Sequence, residues 1–245
     1  RERGAGGHRE AKLPGLQAWI RVGDYRQQAI DSMPNIEVYR ESPMTADDIV
    51  EFGFDHVAVA TGSSWRADGV ARWHTQPMPI STDAHVLTPD QLMAGERPRG
   101  RQVVVFDDDH YYMAGVLAEL LATEGYGVTI VSPAAQVSPW TVNTMEVGKI
   151  QARLLNSGVK LHVNHAVTVV EADSVTTECV HTGRLTTLAA DTVVLVTARL
   201  PEDTLFTELQ SHLESGSIKS LRGIGDAWAP GTIASAVWSG RRYAE

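Results

Sequence analysis

The chain has 245 residues, with 21 Lys and Arg against 30 Asp and Glu, for a formal charge of -9. Hydrophobic residues are 43% and charged residues 21%, a balance that excludes a disordered chain, and no apolar run approaches the roughly 20 residues of a membrane helix. The acidic balance argues against nucleic acid as a partner, and the single cysteine, Cys179, excludes an internal disulfide and a four-cysteine zinc or iron–sulfur site within these residues.

The opening segment, Arg1 to His8, is loop-like and ends in Gly6-Gly7-His8. It lacks the apolar core of a signal peptide, and a reducing cytoplasm is the expected compartment. Thr45 precedes Ala46-Asp47-Asp48-Ile49-Val50, a helix start with acids in its first turn. The apolar run 56–60 reads as a buried strand and is followed by Ala60-Thr61-Gly62. Residues 62–79, rich in Gly, Ser, Trp and Pro, are the best linker candidate. Thr88-Pro89-Asp90-Gln91 then places Pro at the first position of a helix.

Val103 to Phe106 and Val128 to Val131 read as strands of a mostly parallel sheet. Between them Met113, Val116, Leu117, Leu120 and Leu121 fall on one helical face, and Gly125 closes that helix. Strand, helix and strand make a βαβ unit. A helix is expected over 143–156. From 159 to 188 short β-branched stretches suggest a strand and then a small antiparallel meander. Val193 to Val196 is a further buried strand. Near the end, Gly223-Ile224-Gly225-Asp226-Ala227 follows a short apolar stretch and precedes a helix expected to start near Ala229. The chain stops within that helical pattern and carries no initiator Met, which reads as a piece of a longer polypeptide.

Three turns point to nucleotide chemistry: Gly6-Gly7-His8, Thr61-Gly62 and Gly225-Asp226. Each is weak alone, because a glycine after a buried strand is commonly a tight turn and the Asp of such a turn commonly caps a helix. Together they match the order in which flavoproteins present backbone N–H groups to a nucleotide. The resemblance extends along the chain through Leu13-Pro14-Gly15-Leu16, Asp24-Tyr25-Arg26, Pro43-Met44-Thr45-Ala46-Asp47-Asp48, Leu87-Thr88-Pro89-Asp90-Gln91, Val128-Thr129-Ile130-Val131-Ser132 and Leu195-Val196-Thr197-Ala198-Arg199.

On these residues the chain resembles the C-terminal part of the trimethylamine/dimethylamine dehydrogenase family. The resemblance implies an α/β fold of two Rossmann-like units, of the FAD- and NAD(P)-binding types, with mostly parallel sheets. Residues 1–85 and 217–245 would form an FAD/ADP-binding-like domain, incomplete at its N-terminus. Residues 86–216 would form an NAD(P)-binding-like domain. The resemblance further implies an upstream (β/α)8 barrel of the same polypeptide that carries FMN and a 4Fe-4S cluster, and an electron-transferring flavoprotein as acceptor. It leaves room for a homodimer. Cofactor-binding candidates are Gly6, Gly7, His8, Thr61, Gly62, Gly225 and Asp226, which would serve an ADP or FAD adenine moiety in the parent. No cofactor is expected to bind tightly to this piece. Glu2 is the one candidate for an adenosine-ribose contact, at a spacing that looks short.

The turn after Val103–Phe106 should be glycine-rich if it received a pyrophosphate. It reads Asp107-Asp108-Asp109-His110-Tyr111-Tyr112 instead. Like charges at 4 Å repel by about 4 kcal/mol at an effective dielectric near 20. No tight NADH or NADPH binding is therefore expected. An acidic turn capping the following helix is the plainest reading, and a metal site is the alternative. His162 and His165 read as surface residues, and Cys179 as a small packed one. Trp19, Trp65 and Trp73 are candidates to cover a domain interface. Trp140 lies in the loop where the family presents an aromatic to its acceptor. Two other functions share this architecture: an NAD(P)H-using enoate or dienoyl-CoA reductase, which should keep glycines at 107–112, and a non-enzymatic nucleotide-binding or interaction domain.

Overall fold

A computed structural model describes residues 12–245. Glu2, Gly6, Gly7 and His8 lie outside the described residues. After a 3-10 turn at Gln17–Trp19 come α1 (Ile20–Asp31), α2 (Ala46–Glu51), β1 (His56–Val59) and β2 (Ser63–Trp65). Next are β3 (Val86–Leu87), α3 (Pro89–Ala94), β4 (Gln102–Asp107), α4 (Met113–Thr123) and β5 (Gly127–Ser132). A 3-10 helix at Pro139–Thr144 leads to α5 (Val147–Asn156), β6 (Lys160–Val163), β7 (His165–Val170), β8 (Ser174–Cys179) and β9 (Leu185–Ala189). The chain finishes with β10 (Thr192–Val196), β11 (Arg199–Pro201), α6 (Thr204–Glu214), β12 (Ser220–Gly223), a 3-10 turn at Gly225–Ala227 and α7 (Ile233–Ala244). No helix among the described residues is long and apolar enough to cross a membrane.

The described residues fold as two compact units, one of Trp19–Ser64 and Arg199–Glu245, the other of residues 12–18 and Trp65–Ala198. The second unit is built on a five-stranded, wholly parallel sheet in the order β3-β10-β4-β5-β6. Successive residues of a strand point to opposite faces, which explains the unbroken apolar runs. Val103 and Val105 of β4 join Ile130, Val194 and Val196 against Leu117 and Leu121 of α4 and Leu154 of α5. Val104 and Phe106 join Val131, Val193 and Leu195 on the other face, against Val167, Val170 and Val175 of the antiparallel meander β7-β8-β9. Each such side chain contributes roughly 1.5–3 kcal/mol of burial.

The β4-α4-β5 unit, the four apolar strands and the meander form where the periodicity places them. Three expectations are corrected. The helix anticipated from residue 143 begins at Val147, because Met145 adopts a left-handed backbone (φ 59°) that interrupts the hydrogen-bond ladder. Residues 62–79 are not a free linker: Arg66 pairs with Asp68, the Met78 N–H donates to the Asp68 carbonyl, and Met78 is buried. The cut between the units falls at 64/65 and 198/199, not at 85 and 217. Ile80, Ala84 and Val86 pack on the larger unit's core, and Leu205, Phe206 and Leu209 on the smaller unit's.

In the smaller unit β1 and β12 pair in parallel, with His56 opposite Ser220 and Val59 opposite Gly223. Val57, Val59 and Leu221 meet Ala46, Leu209 and Ile218 from α2, α6 and the segment after it. α2 starts after Thr45 with acids in its first turn, as the sequence anticipates, and Thr45 and Asp48 close a reciprocal capping box there. β2 pairs with β11.

One glycine governs the entry to the central strand. Gly100 has φ 67°, and a Cβ there would lie 2.3 Å from Cβ of Asp191. The Asp191 carboxylate accepts the N–H groups of Arg101 (2.7 Å) and Gln102 (2.8 Å), which start β4. Gly100→Ala is therefore expected to lower stability by at least about 2 kcal/mol, through the left-handed backbone and the displaced Asp191. A urea midpoint equal to that of the unaltered chain would contradict this.

Candidate functional site

The parallel strands of the larger unit end together at Asp107, Ser132 and Val196, the edge where open α/β sheets receive ligands. Asp107 is fully buried. One carboxylate oxygen accepts the His110 N–H (2.9 Å) and the other the Ser138 N–H (3.5 Å). The Ser132 hydroxyl donates to its carbonyl (3.0 Å). Burial raises the Asp107 carboxyl from its ordinary 3.8 to about 6; the His110 charge and N–H oppose the shift, and Asp109 adds to it.

Asp108 is equally buried and turns inward. It accepts the Trp73 N–H (2.7 Å), and its second oxygen lies 3.3 Å from His110 Nε2. The N–H groups of Asp108 and Asp109 both reach the Val196 carbonyl. The acidic turn is thus not a helix cap. Tyr112 occupies the cap position of α4 without a side-chain bond, and no acid stands in the first turn. Asp107 is held by two backbone N–H groups and Asp108 by one, from segments other than the first turn of α4. Among the described residues no group of three or more His, Cys, Asp or Glu side chains is disposed to hold a metal ion.

Aromatic side chains cover the turn. The Tyr111 and Tyr112 rings meet edge to face at 4.4 Å. The Tyr112 hydroxyl donates to Glu146 and lies 2.9 Å from the Thr144 hydroxyl. Burial, then the Glu146 bond, pushes the phenol up to about 12. Trp140 donates its N–H to the His110 carbonyl (3.2 Å) and is 50% exposed, with the Arg72 guanidinium 5.7 Å from its ring centroid. Val142 and Met145 are exposed on the same turn.

In the smaller unit the Thr61 hydroxyl donates to the Glu202 carbonyl, and Gly62 (φ 88°) accepts the Glu202 N–H at 2.8 Å. Gly225 (φ 59°) donates its N–H to the Ser239 hydroxyl (3.1 Å). Asp226 is bound on both oxygens: one accepts the Gly231 N–H (3.0 Å), the other the Arg199 guanidinium (2.9 Å) and the Ser63 hydroxyl (3.2 Å). Arg199 also donates to the Gly231 carbonyl (2.9 Å). The structure therefore brings Thr61, Gly62, Gly225 and Asp226 into one unit, with Ser63 linking the two turns. The expected helix after Asp226 starts four residues later than Ala229, at Ile233, and its cap is Thr232. The sequence reading missed Arg199 and Ser138. Arg199 belongs to the 195–199 motif without a role there, and nothing local to Ser138 marks it, because its bond to Asp107 spans 31 residues.

His162 and His165 are half-buried, not surface residues. Their rings meet at 3.9 Å between centroids, tilted by 33°, and His162 Nε2 lies 3.2 Å from the Thr177 hydroxyl. Burial, then the neighbouring His165, lowers the His162 pKa. Trp65 is partly buried against its unit's core, whereas Trp19 and Trp73 remain exposed. Cys179 ends β8 at a half-exposed position.

Residues 87–185 match the family model of the OYE-like second alpha/beta domain. Dimethylamine dehydrogenase of Hyphomicrobium sp. (strain x) is 33% identical over 263 aligned positions, covering 96% of this chain and 36% of that protein. The structure of histamine dehydrogenase from Rhizobium sp. 4-9 is 50% identical, with a TM-score of 0.93, covering 96% of this chain and 37% of that one. 6-Hydroxypseudooxynicotine amine oxidase from Pseudomonas geniculata N1 is 42% identical with a TM-score of 0.93, covering 97% and 36%. The chain thus spans little more than a third of the length of these relatives.

Two outcomes follow from the two aspartates. A carboxyl raised to about 6 favours the folded state while protonated, fully so below about 3.8, and that contribution is lost as pH rises through about 6. Asp107→Asn cannot ionise. The stability of the unaltered chain relative to this variant should fall by about 3 kcal/mol between pH 3.5 and 7.5. A difference independent of pH in denaturant titrations would contradict it. Asp226→Ala removes the acceptor of Arg199 and Gly231 and is expected to cost about 1.5–3 kcal/mol. An unchanged thermal midpoint would show that these bonds do not hold the turn.

Proposed function

Because the chain belongs to the trimethylamine/dimethylamine dehydrogenase family of flavoproteins, as its C-terminal dinucleotide-fold part, we propose that it serves an oxidoreductase that withdraws electrons from the C–N bond of a small amine and delivers them to a protein acceptor. The observation that carries the choice of acceptor is the turn after β4. Buried Asp107 and Asp108 and the paired Tyr111 and Tyr112 rings occupy the place where a pyridine nucleotide would lay its pyrophosphate. An NAD(P)H-dependent reductase of the same architecture needs that turn open.

One cysteine cannot ligate a cubane cluster, so the iron–sulfur ligands belong to other parts of the parent polypeptide, as does FMN on its (β/α)8 barrel. When bound there, FMN supplies the two-electron chemistry. This chain's residues act elsewhere. Thr61, Gly62 and Gly225, with Gly6, Gly7 and His8, would line an ADP or FAD adenine moiety. Asp226 contributes by holding its turn through Arg199 and Gly231. Trp140, half-exposed beside Val142 and Met145, is suited to dock an electron-transferring flavoprotein.

The test uses the longer polypeptide that contains this chain. It should reduce an artificial dye at the expense of small primary, secondary or tertiary amines and should leave NADH and NADPH unoxidised. Turnover driven by either nucleotide would overturn the proposal. Trp140→Ala should slow reduction of the flavoprotein acceptor about tenfold, a loss of about 1.4 kcal/mol, with dye reduction unchanged. Equal rates with both acceptors would reduce Trp140 to a packing residue.

A further inference from the structure

We propose that Asp107 is a built-in anion: its carboxylate stands in for a small bound anion at the strand ends of the larger unit, so that removing it uncovers a latent site for a small carboxylate. This goes beyond the absence of a glycine-rich turn. It gives the replacement a donor set and a chemical class of ligand.

The two N–H groups that Asp107 accepts come from separate segments of the chain, the turn after β4 and the loop after β5. Both donors, His110 (φ 66°) and Ser138 (φ 53°), have the left-handed backbone that side chains other than glycine rarely adopt. Such residues turn their N–H groups into concavities that bind anions. A solvent-borne anion is replaced here by one tethered to β4. Ser138 is itself fully buried, and its hydroxyl has no hydrogen-bond partner; it packs by the first turn of α4, where a Cβ on Gly115 would lie 3.4 Å from it. Nδ1 of His110 is likewise without a hydrogen bond, while its Nε2 lies 3.3 Å from buried Asp108. The Asp107 carboxylate thus has both oxygens held by N–H donors from two segments, and one of those donor residues, Ser138, keeps a buried hydroxyl without a hydrogen bond. The same carboxylate fixes the 3-10 helix that presents Trp140, because Ser138 is its N-cap and the His110 carbonyl accepts the Trp140 N–H.

Chemical rescue tests the proposal. Asp107→Ala leaves the two N–H donors and the space of one carboxylate. Its melting temperature should fall, and sodium formate, compared with sodium chloride at equal ionic strength, should restore at least about 3 °C. The unaltered chain and Asp107→Asn, whose amide fills the space, should gain nothing from formate. If Asp107→Ala does not fold in chloride, the same comparison is read as the yield of soluble protein with and without formate. The proposal is overturned if formate leaves Asp107→Ala unchanged, or if it raises all three proteins equally. A measurement on the folded state completes the test. The amide proton resonances of both His110 and Ser138 should move upfield in Asp107→Asn, where the charged acceptor is lost. If only His110 moves, the carboxylate serves its own turn and does not bridge the two segments, and the assignment fails.

Discussion

A carboxylate taken out of water must be met by donors, and in the larger unit that requirement shapes everything at the strand ends. β4 is buried along its length, so Asp107 at its last position is buried with it. Backbone N–H groups meet the charge, and the two residues that supply them take left-handed conformations. The turn after β4 and the loop before α5 are thereby held to one point. The Tyr111–Tyr112 pair and the exposed Trp140 inherit their positions from that anchoring.

The smaller unit meets a comparable requirement differently. Asp226 also follows a parallel strand, but it is only partly buried and has Arg199 within 2.9 Å. An ion pair with further bonds to Gly231 and Ser63 satisfies both oxygens without forcing a side-chain-bearing residue into a left-handed backbone; the strained position there is a glycine, Gly225. The two aspartates thus show two ways of accommodating a charge at a strand end. One keeps the site polar and partly open to solvent. The other seals it.

These differences bear on how a dinucleotide fold loses a ligand. Removing glycines from the phosphate turn would suffice to exclude a nucleotide by bulk alone. In the proposed reading the exclusion would also be chemical, since the Asp107 carboxylate stands at the strand end and would repel a second anion in a medium where charges interact strongly. The sheet is unaffected, because Val103 to Phe106 alternate between two apolar layers whatever follows them. The scaffold is kept, and its ligand edge carries the half-exposed Trp140.

Much of this was legible in the residues. The runs at 103–106, 128–131 and 193–196 are long and apolar on both faces, so only a buried parallel strand suits them. The capping box at Thr45 and Asp48 and the proline at residue 89 mark helix starts through local bonds alone. The turn at 107–112 stood out by its charge and bulk. What the residues could not disclose was the direction in which Asp107 and Asp108 point. A cap bond is made within a few residues, whereas the bonds actually made run to Ser138 and Trp73, about 30 residues away on either side. Arg199 meeting Asp226, and Met78 drawing the supposed linker onto the core, are likewise contacts between distant positions. Sequence by itself determined the elements, since periodicity and capping act over a few neighbouring residues. Tertiary structure alone decided which buried charge meets which donor, because that depends on segments brought together only when the sheet is assembled.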